Sequence, residues 1–497
     1  MSNPLDQLPD MQRRAVREFL RLAGVIDELG GRFRAAGHEL ALVGGSVRDA
    51  LLGRIGHDLD LTTSALPEQT EQLVAGWADA VWAIGREFGT IGLRKGDWTI
   101  EITTYRADSY DRQSRKPEVR FGNSLVDDLV RRDFTINAMA LLLPDKQFVD
   151  PFDGRGDLAA GRIRTPGRPE DSFTDDPLRM MRAARFASQL SGDRRIEVVP
   201  EVTEAIRAMS DRIEIVSAER VRDELVKLML GANPRAGLQL LVDSGLADHV
   251  LPELPKLRLE VDEHHRHKDV YEHSLKVLEQ AIEMEDRVDP DGPGGPDFVV
   301  RFAALLHDIG KPRTRRFESG GRVTFHHHEV VGAKLASKRM RALKFSNEEI
   351  ADVSRLVELH LRFHGYGSGE WTDSAVRRYV RDAGPLLRRL HVLTRADSTT
   401  RNRRKAEALQ RTYDDLEERI DRLSEQEELA AIRPDLDGNE IMRILRIGPG
   451  PDVGRAWKHL LEVRLDAGPM DHDTARAELL RWWSEQNEQN EQNEPSG

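Results

Sequence analysis

The sequence contains no cysteine and few aromatic residues. Without thiols, the chain has no disulfide scaffold, no thiolate zinc site and no cysteine nucleophile. Long apolar runs are also missing, because no stretch approaches the roughly 18 residues that a membrane span needs. The first ten residues, MSNPLDQLPD, have no signal-peptide pattern. We therefore expect a cytoplasmic protein that has no membrane partner.

An excess of basic charge is missing as well. The chain has 74 Lys and Arg residues against 86 Asp and Glu residues, a net charge of −12. This balance excludes a protein that is basic over its whole surface, but it leaves room for a local basic groove. With 497 residues, of which 39% are hydrophobic and 32% charged, the composition is typical of a globular chain of about three domains.

The apolar pattern predicts a small α/β domain followed by a helical region. We predict an amphipathic helix over residues 11–36 and strands over 39–43, 58–61, 90–93 and 98–104. From residue 176 onward the pattern is almost entirely helical. The segment 289–296, rich in proline and glycine, predicts a loop inside this helical region.

The first candidate site begins at a glycine turn. The strand over 39–43 leads into Gly44, Gly45 and Ser46, and a helix follows. Glycines at such a turn let the backbone approach a phosphate, whose negative charge the helix N-terminus favours. Arg48, in the first turn of that helix, can add a charge-assisted contact to the same phosphate.

A pair of carboxylates follows the glycine turn. Asp58 and Asp60 flank Leu59, and alternate residues of a strand point to the same face. A divalent metal relieves the repulsion between such carboxylates, and oxygen ligands suit Mg²⁺. Two ions of this kind can stabilise the attacking and leaving oxygens of a phosphoryl transfer. Glu101, in the strand over 98–104, is a candidate third carboxylate.

Two more polar segments follow. The first places Arg131, Arg132 and Asp133 just before an apolar stretch that we predict to be helical. The second opens a helix with Pro177 near its first position, and its polar residues recur every three positions: Asp176, Arg179, Arg182 and Arg185. A solvated arginine face is the structural alternative for this helix, because its other side is apolar.

Taken in order, these segments resemble the class II CCA-adding tRNA nucleotidyltransferases and their bacterial poly(A) polymerase relatives. An isolated Gly-Gly turn or Asp-x-Asp is common, but here eleven residues separate Ser46 from Asp58, as in the nucleotidyltransferase superfamily. The match continues through 131–139, 150–158, 175–179 and 216–225, and it covers about residues 38–230. It implies an α/β nucleotidyltransferase head with a small mixed sheet, followed by a mostly α-helical neck, HD bundle and tail.

The resemblance also implies roles for individual residues. Asp58, Asp60 and Glu101 would form the catalytic carboxylate set, in which the two aspartates hold Mg²⁺. The nucleotide would be held by Gly44, Gly45, Ser46, Arg48, Arg131, Arg132 and Asp133. Its base would be read by Asp176 and Arg179, supported by Arg182 and Arg185. The family motif begins with Glu at the position of Asp175, so this sequence carries a shorter acid there.

A second constellation consists of histidines and aspartates. His273, His307, Asp308, His328, His360 and Asp397 follow the order H, HD, H, H, D, which resembles the HD metal-dependent phosphohydrolase domain. Apolar neighbours predict that the His-Asp pair is buried, where it needs a strong partner. Imidazole with carboxylate suits Mn, Ni or Fe. The alternative is a structural bundle without turnover. We expect a second group of histidines to line the surface, namely His264, His265, His267, His326 and His327. Of these, His327 is the alternative to His328 as a ligand.

The most basic stretch lies further along the chain. Residues 377–411 contain eleven Lys and Arg side chains against three Asp and Glu, a local net charge of +8, which makes them our candidate for binding RNA phosphates. We divide the chain into an N-terminal helix (1–37), head (38–167), neck (168–255), HD domain (256–400), RNA-binding tail (401–484) and a disordered, low-complexity end (485–497).

The function that these observations predict is template-independent addition of C, C and A to the 3′ end of tRNA from CTP and ATP, with release of pyrophosphate. Phosphohydrolysis by the HD domain would be a second activity. Three alternatives remain at this point: a poly(A) polymerase, an HD phosphohydrolase whose head only binds nucleotide, and a non-catalytic RNA-binding protein. The sequence leaves the oligomeric state open.

Overall fold

The computed structural model describes residues 9–83, 85–106, 122, 124–192, 196–258, 269–318, 323–363, 371–398, 403–427 and 433–493. The chain divides into two units, Met1–Pro252 and Glu253–Gly497. Within the described residues, none of the helices is both long enough and apolar enough to cross a membrane.

The first unit is built on a seven-stranded mixed sheet. Its strands are β1 (Leu40–Val43), β2 (Asp58–Thr63), β3 (Ala80–Trp82), β4 (Thr90–Lys95), β5 (Trp98–Thr104), β6 (Ala140–Leu143) and β7 (Gln147–Val149). They lie in the order β3-β4-β5-β2-β1-β6-β7. Strands β2 and β5 are parallel and the other neighbours are antiparallel. The predicted small mixed sheet is therefore confirmed.

Helices precede, connect and follow the strands of this sheet. In chain order they are α1 (Asp10–Ala35), α2 (Gly44–Leu52), α3 (Pro67–Val74), α4 (Leu125–Val130), α5 (Gly154–Ala160), α6 (Pro169–Asp175), α7 (Leu178–Gln189), α8 (Pro200–Met209), α9 (Ala218–Met229), α10 (Pro234–Asp243) and α11 (Ala247–Val250). Two short strands, β8 (Arg162–Ile163) and β9 (Glu197–Val198), pair in parallel between them. Helix α7 packs against α9 and α10.

One of our predictions for the head is wrong. The apolar stretch after Asp133 is not a helix, because a 3-10 turn over Thr135–Asn137 leads into strand β6. This strand pairs with β1 from Leu40 opposite Leu143 to Val43 opposite Ala140. A short apolar run is compatible with either a buried strand or a buried helix. Here the run forms a strand, because it pairs with the edge of β1 that β2 leaves open.

The start of helix α7 also differs from the prediction. The helix begins at Leu178, and Pro177 is its N-cap rather than its first residue. Asp176 lies before the helix in an extended conformation, with φ −141° and ψ 101°. It therefore does not belong to the face that Arg179, Arg182 and Arg185 share.

The second unit is helical. Its helices are α12 (Val270–Met284), α13 (Phe298–Leu306), α14 (Lys311–Thr314), α15 (His328–Ala342), α16 (Asn347–Leu359), α17 (Asp373–Ala383), α18 (Leu387–Asp397), α19 (Arg403–Glu427), α20 (Gly438–Leu445), α21 (Pro451–Ala467) and α22 (His472–Asn493). A hairpin joins β10 (Arg316–Phe317) to β11 (Val323–Thr324). The loop predicted over 289–296 lies between α12 and α13, as expected. Further 3-10 turns in the chain span Arg86–Phe88, Ser210–Ile215, Pro255–Leu257, Glu285–Arg287 and Gly384–Leu386.

The end of the chain corrects another prediction. Helix α22 continues to Asn493 through the Asn-Glu-Gln repeat that we expected to be disordered. Glutamate and glutamine are good helix formers, and the repeat contains no glycine or proline before Pro495. The last four residues, 494–497, lie outside the described residues.

Candidate active site and metal centre

The carboxylates of the first site meet on two parallel strands. Asp58 pairs with Thr99, and Asp60 lies directly opposite Glu101 in the register of β2 and β5. Residues that face each other in this way point to the same side of the sheet. On the opposite side, Leu59 and Ile100 are buried. The structure thus brings the two aspartates and Glu101 together on one face.

The charges of these carboxylates are not balanced within the row. Partial burial raises the pKa of Asp60; Arg132 opposes this effect and Asp58 adds to it. Burial also raises the pKa of Glu101, and the charges of Asp60 and Asp58 raise it further. A divalent cation would relieve this repulsion, and a set of carboxylate oxygens suits a hard ion.

The glycine turn lies against the same strand. Gly44 has φ +65°, and a Cβ at this position would lie 2.8 Å from Nη1 of Arg132. Only glycine fits both conditions without strain. Ser46 is buried, and its Oγ accepts a hydrogen bond from the backbone N–H of Asp60 at 2.9 Å. The Ser46 hydroxyl therefore joins the glycine turn to the carboxylate strand.

A cavity of about 510 Å³ opens in front of these elements. It is lined by most of the predicted nucleotide-binding residues and by five that we did not predict, namely Thr103, Arg106, Asp128, Asn137 and Phe186. Asp58, Glu101 and Ser46 do not line it. Because seven arginines and four aspartates, among them Asp60, line it, the cavity can hold a polyanion next to the carboxylate row.

A buried carboxylate organises the arginines. Oδ1 of Asp133 accepts hydrogen bonds from the N–H of Phe134 at 2.8 Å and from Nδ2 of Asn137 at 2.9 Å. Oδ2 of Asp133 forms an ion pair with Arg182 at 2.7 Å. Burial alone would raise the pKa of Asp133, but Arg182 and Asn137 outweigh it and the pKa is lowered. Oδ1 of Asn137 in turn accepts a hydrogen bond from Arg48 at 2.7 Å.

The two predicted base-reading residues are held separately. Oδ1 of Asp176 accepts a hydrogen bond from the N–H of Leu178 at 3.1 Å, and its Oδ2 pairs with Arg220 of α9 at 3.0 Å. Arg179 donates to the backbone oxygen of Arg131 at 2.6 Å and to Oγ of Ser172 at 2.8 Å. Both side chains therefore lie at the cavity in orientations that other residues fix.

Two residues of the neck contribute to the site but were not predicted from the sequence. Phe186 carries three arginines around its ring, with guanidinium carbons 4.3 Å (Arg185), 5.1 Å (Arg48) and 5.9 Å (Arg182) from the ring centroid. The lone aromatic residue in an arginine-rich helix was the available signal. Arg220 had no such signal, because its partner Asp176 is 44 residues away in sequence.

The second constellation converges in the helical unit. His273 lies on α12, His307 and Asp308 follow α13, and the remaining members lie at helix ends: His328, His360 and Asp397. The ligand atoms form two groups of three, one with His273, His307 and Asp397 and the other with Asp308, His328 and His360. Within each group the atoms lie within 4.8 Å of one another. Asp308 links the groups, since its Oδ1 is 3.2 Å from Nε2 of His328 and its Oδ2 is 3.2 Å from Nε2 of His307.

The histidine rings are oriented as in metal centres. Nδ1 of His307, His328 and His360 lies 2.8, 2.9 and 2.6 Å from a backbone oxygen three residues earlier. Each ring thus turns its Nδ1 to the backbone and its buried Nε2 to the centre, where Asp308 oxygens lie 3.2 Å from the Nε2 atoms of His307 and His328. Burial lowers the pKa of His360 to about 3, which keeps it neutral. The set therefore fits a transition metal.

The carboxylates of the HD centre also favour a bound cation. Burial lowers the pKa of His307, but the Asp308 and Asp397 carboxylates outweigh it and raise the pKa to about 10. These carboxylates therefore favour positive charge between them.

Of the histidines that we expected at the surface, His326 and His327 are exposed, with 67% and 83% of their side-chain areas accessible. The other three, at 264, 265 and 267, lie outside the described residues.

Of the eleven cations in the predicted RNA-binding stretch 377–411, five form ion pairs with acids within the described residues. Arg377 is buried and pairs with Glu427 at 2.7 Å, and Arg395 is buried and pairs with Asp414 at 2.8 Å. Other arginines of the stretch form ion pairs with acids on other elements, such as Arg378 with Glu462 and Arg389 with Asp297. The charge of these five arginines therefore serves to join helices, and our interpretation of them as phosphate contacts is wrong. RNA binding by the rest of the stretch stays a prediction.

Comparison with known proteins assigns the chain. Three family models match: the poly A polymerase head domain over residues 40–164, the probable RNA- and SrmB-binding site of polymerase A over 196–257, and the HD domain over 270–402. Over 452 residues the chain is 33% identical to the A-adding tRNA nucleotidyltransferase of Deinococcus radiodurans, an alignment that covers 90% of this chain and 96% of that protein. The chain belongs to the tRNA nucleotidyltransferase family.

Other members of the family agree with this assignment. The CCA-adding enzyme of Enterococcus faecalis is 42% identical over 374 residues, which cover 75% of this chain and 77% of that protein. The crystal structure of the Bacillus stearothermophilus CCA-adding enzyme in complex with CTP superposes with a TM-score of 0.62 at 24% identity, covering 96% of this chain and 99% of that one. This likeness confirms the fold of an α/β head followed by a helical body.

Proposed function

We propose that this protein adds C, C and A to the 3′ end of tRNA, using CTP and ATP and releasing pyrophosphate. The observation that carries the proposal is the carboxylate row of β2 and β5 beside an arginine-lined cavity that also holds Asp176 and Arg179. Family membership supports it, since the related proteins of Deinococcus radiodurans and Enterococcus faecalis are named as A-adding and CCA-adding enzymes.

The carboxylate row would provide the reaction centre. Asp58, Asp60 and Glu101 are the residues that would hold Mg²⁺, because they share one face of the sheet, and burial together with their mutual repulsion raises the pKa values of Asp60 and Glu101. When bound, the ion supplies positive charge for the RNA 3′-hydroxyl and the triphosphate. The triphosphate would lie along Arg48 and Arg132.

The neck would choose the base. Cytosine and adenine each present an exocyclic amine beside a ring nitrogen acceptor, whereas uracil and guanine present a carbonyl in place of that amine. A carboxylate that accepts from the amine and a guanidinium that donates to the ring nitrogen select cytosine and adenine together. Asp176 and Arg179 have these chemistries, and both line the cavity.

A narrower activity is the second candidate. The relative that aligns over 96% of its length is named for adding A alone, so addition of the terminal A without the two C residues is an alternative for this chain. A poly(A) polymerase is the third. The test is to offer purified protein three forms of one tRNA, which lack CCA, CA or only A, with each labelled nucleotide singly.

The three activities predict different results in that test. CCA addition predicts C on the first two forms and A on the third. Addition of A alone predicts no incorporation of C on any form. Poly(A) synthesis predicts A tails of many residues on all three forms. No incorporation in the presence of Mg²⁺ would contradict the proposal.

We also propose that the HD centre binds a divalent transition metal such as Mn, Ni or Fe and hydrolyses phosphate esters. The two groups of three ligand atoms that converge at the centre support the metal, and phosphohydrolysis follows the resemblance of the H, HD, H, H, D order. The matched variants are His307→Ala, in the cluster, and His327→Ala, an exposed neighbour. Metal analysis should find metal lost in the first and retained in the second, and equal metal content in both would contradict the site.

A further inference from the structure

A short hairpin connects two ligand segments of the HD centre. Helix α14 begins three residues after Asp308 and leads into β10, while β11 ends at Thr324, four residues before His328. The two strands pair antiparallel, with Arg316 opposite Thr324 and Phe317 opposite Val323. Both ends of the hairpin are therefore tied to residues of the metal centre.

This hairpin carries arginines that no carboxylate neutralises. Within the described residues, the side chains of Arg313, Arg315 and Arg316 form no ion pair and donate no hydrogen bond, and Arg313 and Arg316 are exposed. The arginines of the stretch 377–395 are different, because most of them pair with acids on other elements. In a chain of net charge −12, positive charge left unpaired in one short segment is available for an external anion.

An exposed aromatic ring lies in the same segment. Phe317 is 71% accessible, the highest value among the exposed large hydrophobic residues of the described chain. The guanidinium carbon of Arg315 lies 4.7 Å from the centre of this ring. The two side chains form a cation–π pair, which presents a flat surface next to Arg313 and Arg316.

Positive charge continues from the hairpin to the centre itself. Nζ of Lys311 lies 2.9 Å from Oδ2 of Asp308 and 5.6 Å from the centre of the Phe325 ring. Along the chain, Lys311, Arg313, Arg315 and Arg316 thus form a series of cations that starts beside the ligand Asp308 and ends at the exposed ring of Phe317.

We propose that the segment 311–317 is a binding surface for single-stranded RNA that presents a strand to the HD centre. Spaced arginines fit successive phosphates, and an exposed ring next to them fits a stacked base, which is the combination that binds single strands without sequence preference. An acidic peptide would use the arginines but would leave Phe317 without a role. The proposal concerns the second unit and does not depend on nucleotide addition by the head.

The test measures binding of a fluorescein-labelled, single-stranded RNA octamer to the full-length protein as salt is raised. The variant Arg313→Ala/Arg316→Ala should bind more weakly at low salt, and the negative slope of log K against log salt should become shallower by about 1.4, or about 0.7 for each lost phosphate contact. The control Lys338→Ala/Arg341→Ala removes two other exposed cations of the same unit, both on α15, and should keep the wild-type slope. Equal slopes in the two variants would overturn the proposal.

A second measurement locates the RNA. An octamer that contains 5-iodouridine should cross-link on irradiation to the peptide that carries Phe317, and Phe317→Ala should remove that cross-link while tRNA nucleotide addition stays at the wild-type rate. Cross-links confined to other peptides would overturn the proposal. So would binding of a polyglutamate peptide, but not of RNA, that depends on the same arginines.

Discussion

The contact between Arg220 and Asp176 makes a graded prediction about base selection. Asp176 has two contacts, one from the N–H of Leu178 and one from Arg220. Replacing Arg220 with alanine leaves the acceptor in place but removes one of these two contacts, so that the N–H of Leu178 alone orients the carboxylate. Base discrimination should then fall, although the side chain that faces the base is unchanged.

The exposure of the pair sets the size of the effect. The side chains of Asp176 and Arg220 are 27% and 54% accessible, so their ion pair contributes about 1 kcal/mol or less. That energy corresponds to a loss of discrimination of about fivefold. Asp176→Ala removes the acceptor itself and should cost about 1–3 kcal/mol of selectivity. Arg222→Ala, two residues along the same helix, breaks a pair with Asp223 and should leave base selectivity unchanged.

The assay compares ATP with GTP as substrates for a tRNA that lacks only its terminal A. The ratio of the two kcat/KM values should fall most in Asp176→Ala, about fivefold in Arg220→Ala and not at all in Arg222→Ala. If Arg220→Ala keeps the wild-type ratio, Arg220 does not position Asp176. If Arg220→Ala and Arg222→Ala lose the same amount, the effect belongs to α9 as a whole.

Three other substitutions test the rest of the site. Asp60→Asn should reduce nucleotide addition on the order of 100-fold or more with the fold intact, because charge that faces the transition state is lost; circular dichroism and an addition assay check this. Arg182→Gln leaves Asp133 buried without its ion pair and should lower the free energy of unfolding by about 2 kcal/mol at neutral pH. Since the pKa of Asp133 is lowered in the folded protein, its stabilising contribution is lost as pH falls, and urea unfolding should show the deficit of the variant shrinking in acid. Gly44→Ala should slow addition, because the new Cβ meets Arg132 at a residue with positive φ, and an unchanged rate would refute that role of the turn.

Some parts of this site were predictable because they depend on neighbours in sequence. Asp58 and Asp60 share a face through strand alternation alone, and the order of the glycine turn and the aspartates indicated the fold around them. Glu101 was harder, because its place opposite Asp60 depends on the register of two strands about 40 residues apart. The alternation within 98–104 predicted its face but not its partner.

Other parts depend on partners that no local pattern names. The arginines of 377–411 look like an RNA-binding stretch when counted in sequence, but three of them are neutralised in the fold. Glu427 pairs with Arg377, Glu462 with Arg378 and Asp414 with Arg395. Conversely, no sequence pattern marked Arg315 and Arg316 as candidate binding residues. They are distinctive only because no acidic side chain of the described structure forms an ion pair with them. Charge in a folded protein is decided by tertiary pairing, which composition does not report.

The central claim is that one cavity selects both cytosine and adenine and adds them in a fixed order. The most direct measurement is to incubate the purified protein with a tRNA that lacks its last three nucleotides and with all four nucleoside triphosphates at equal concentration, and then to sequence the RNA 3′ ends. We predict ends that read CCA and stop there. Ends that carry A alone, A tails of many residues, or U and G as often as C and A would contradict the claim.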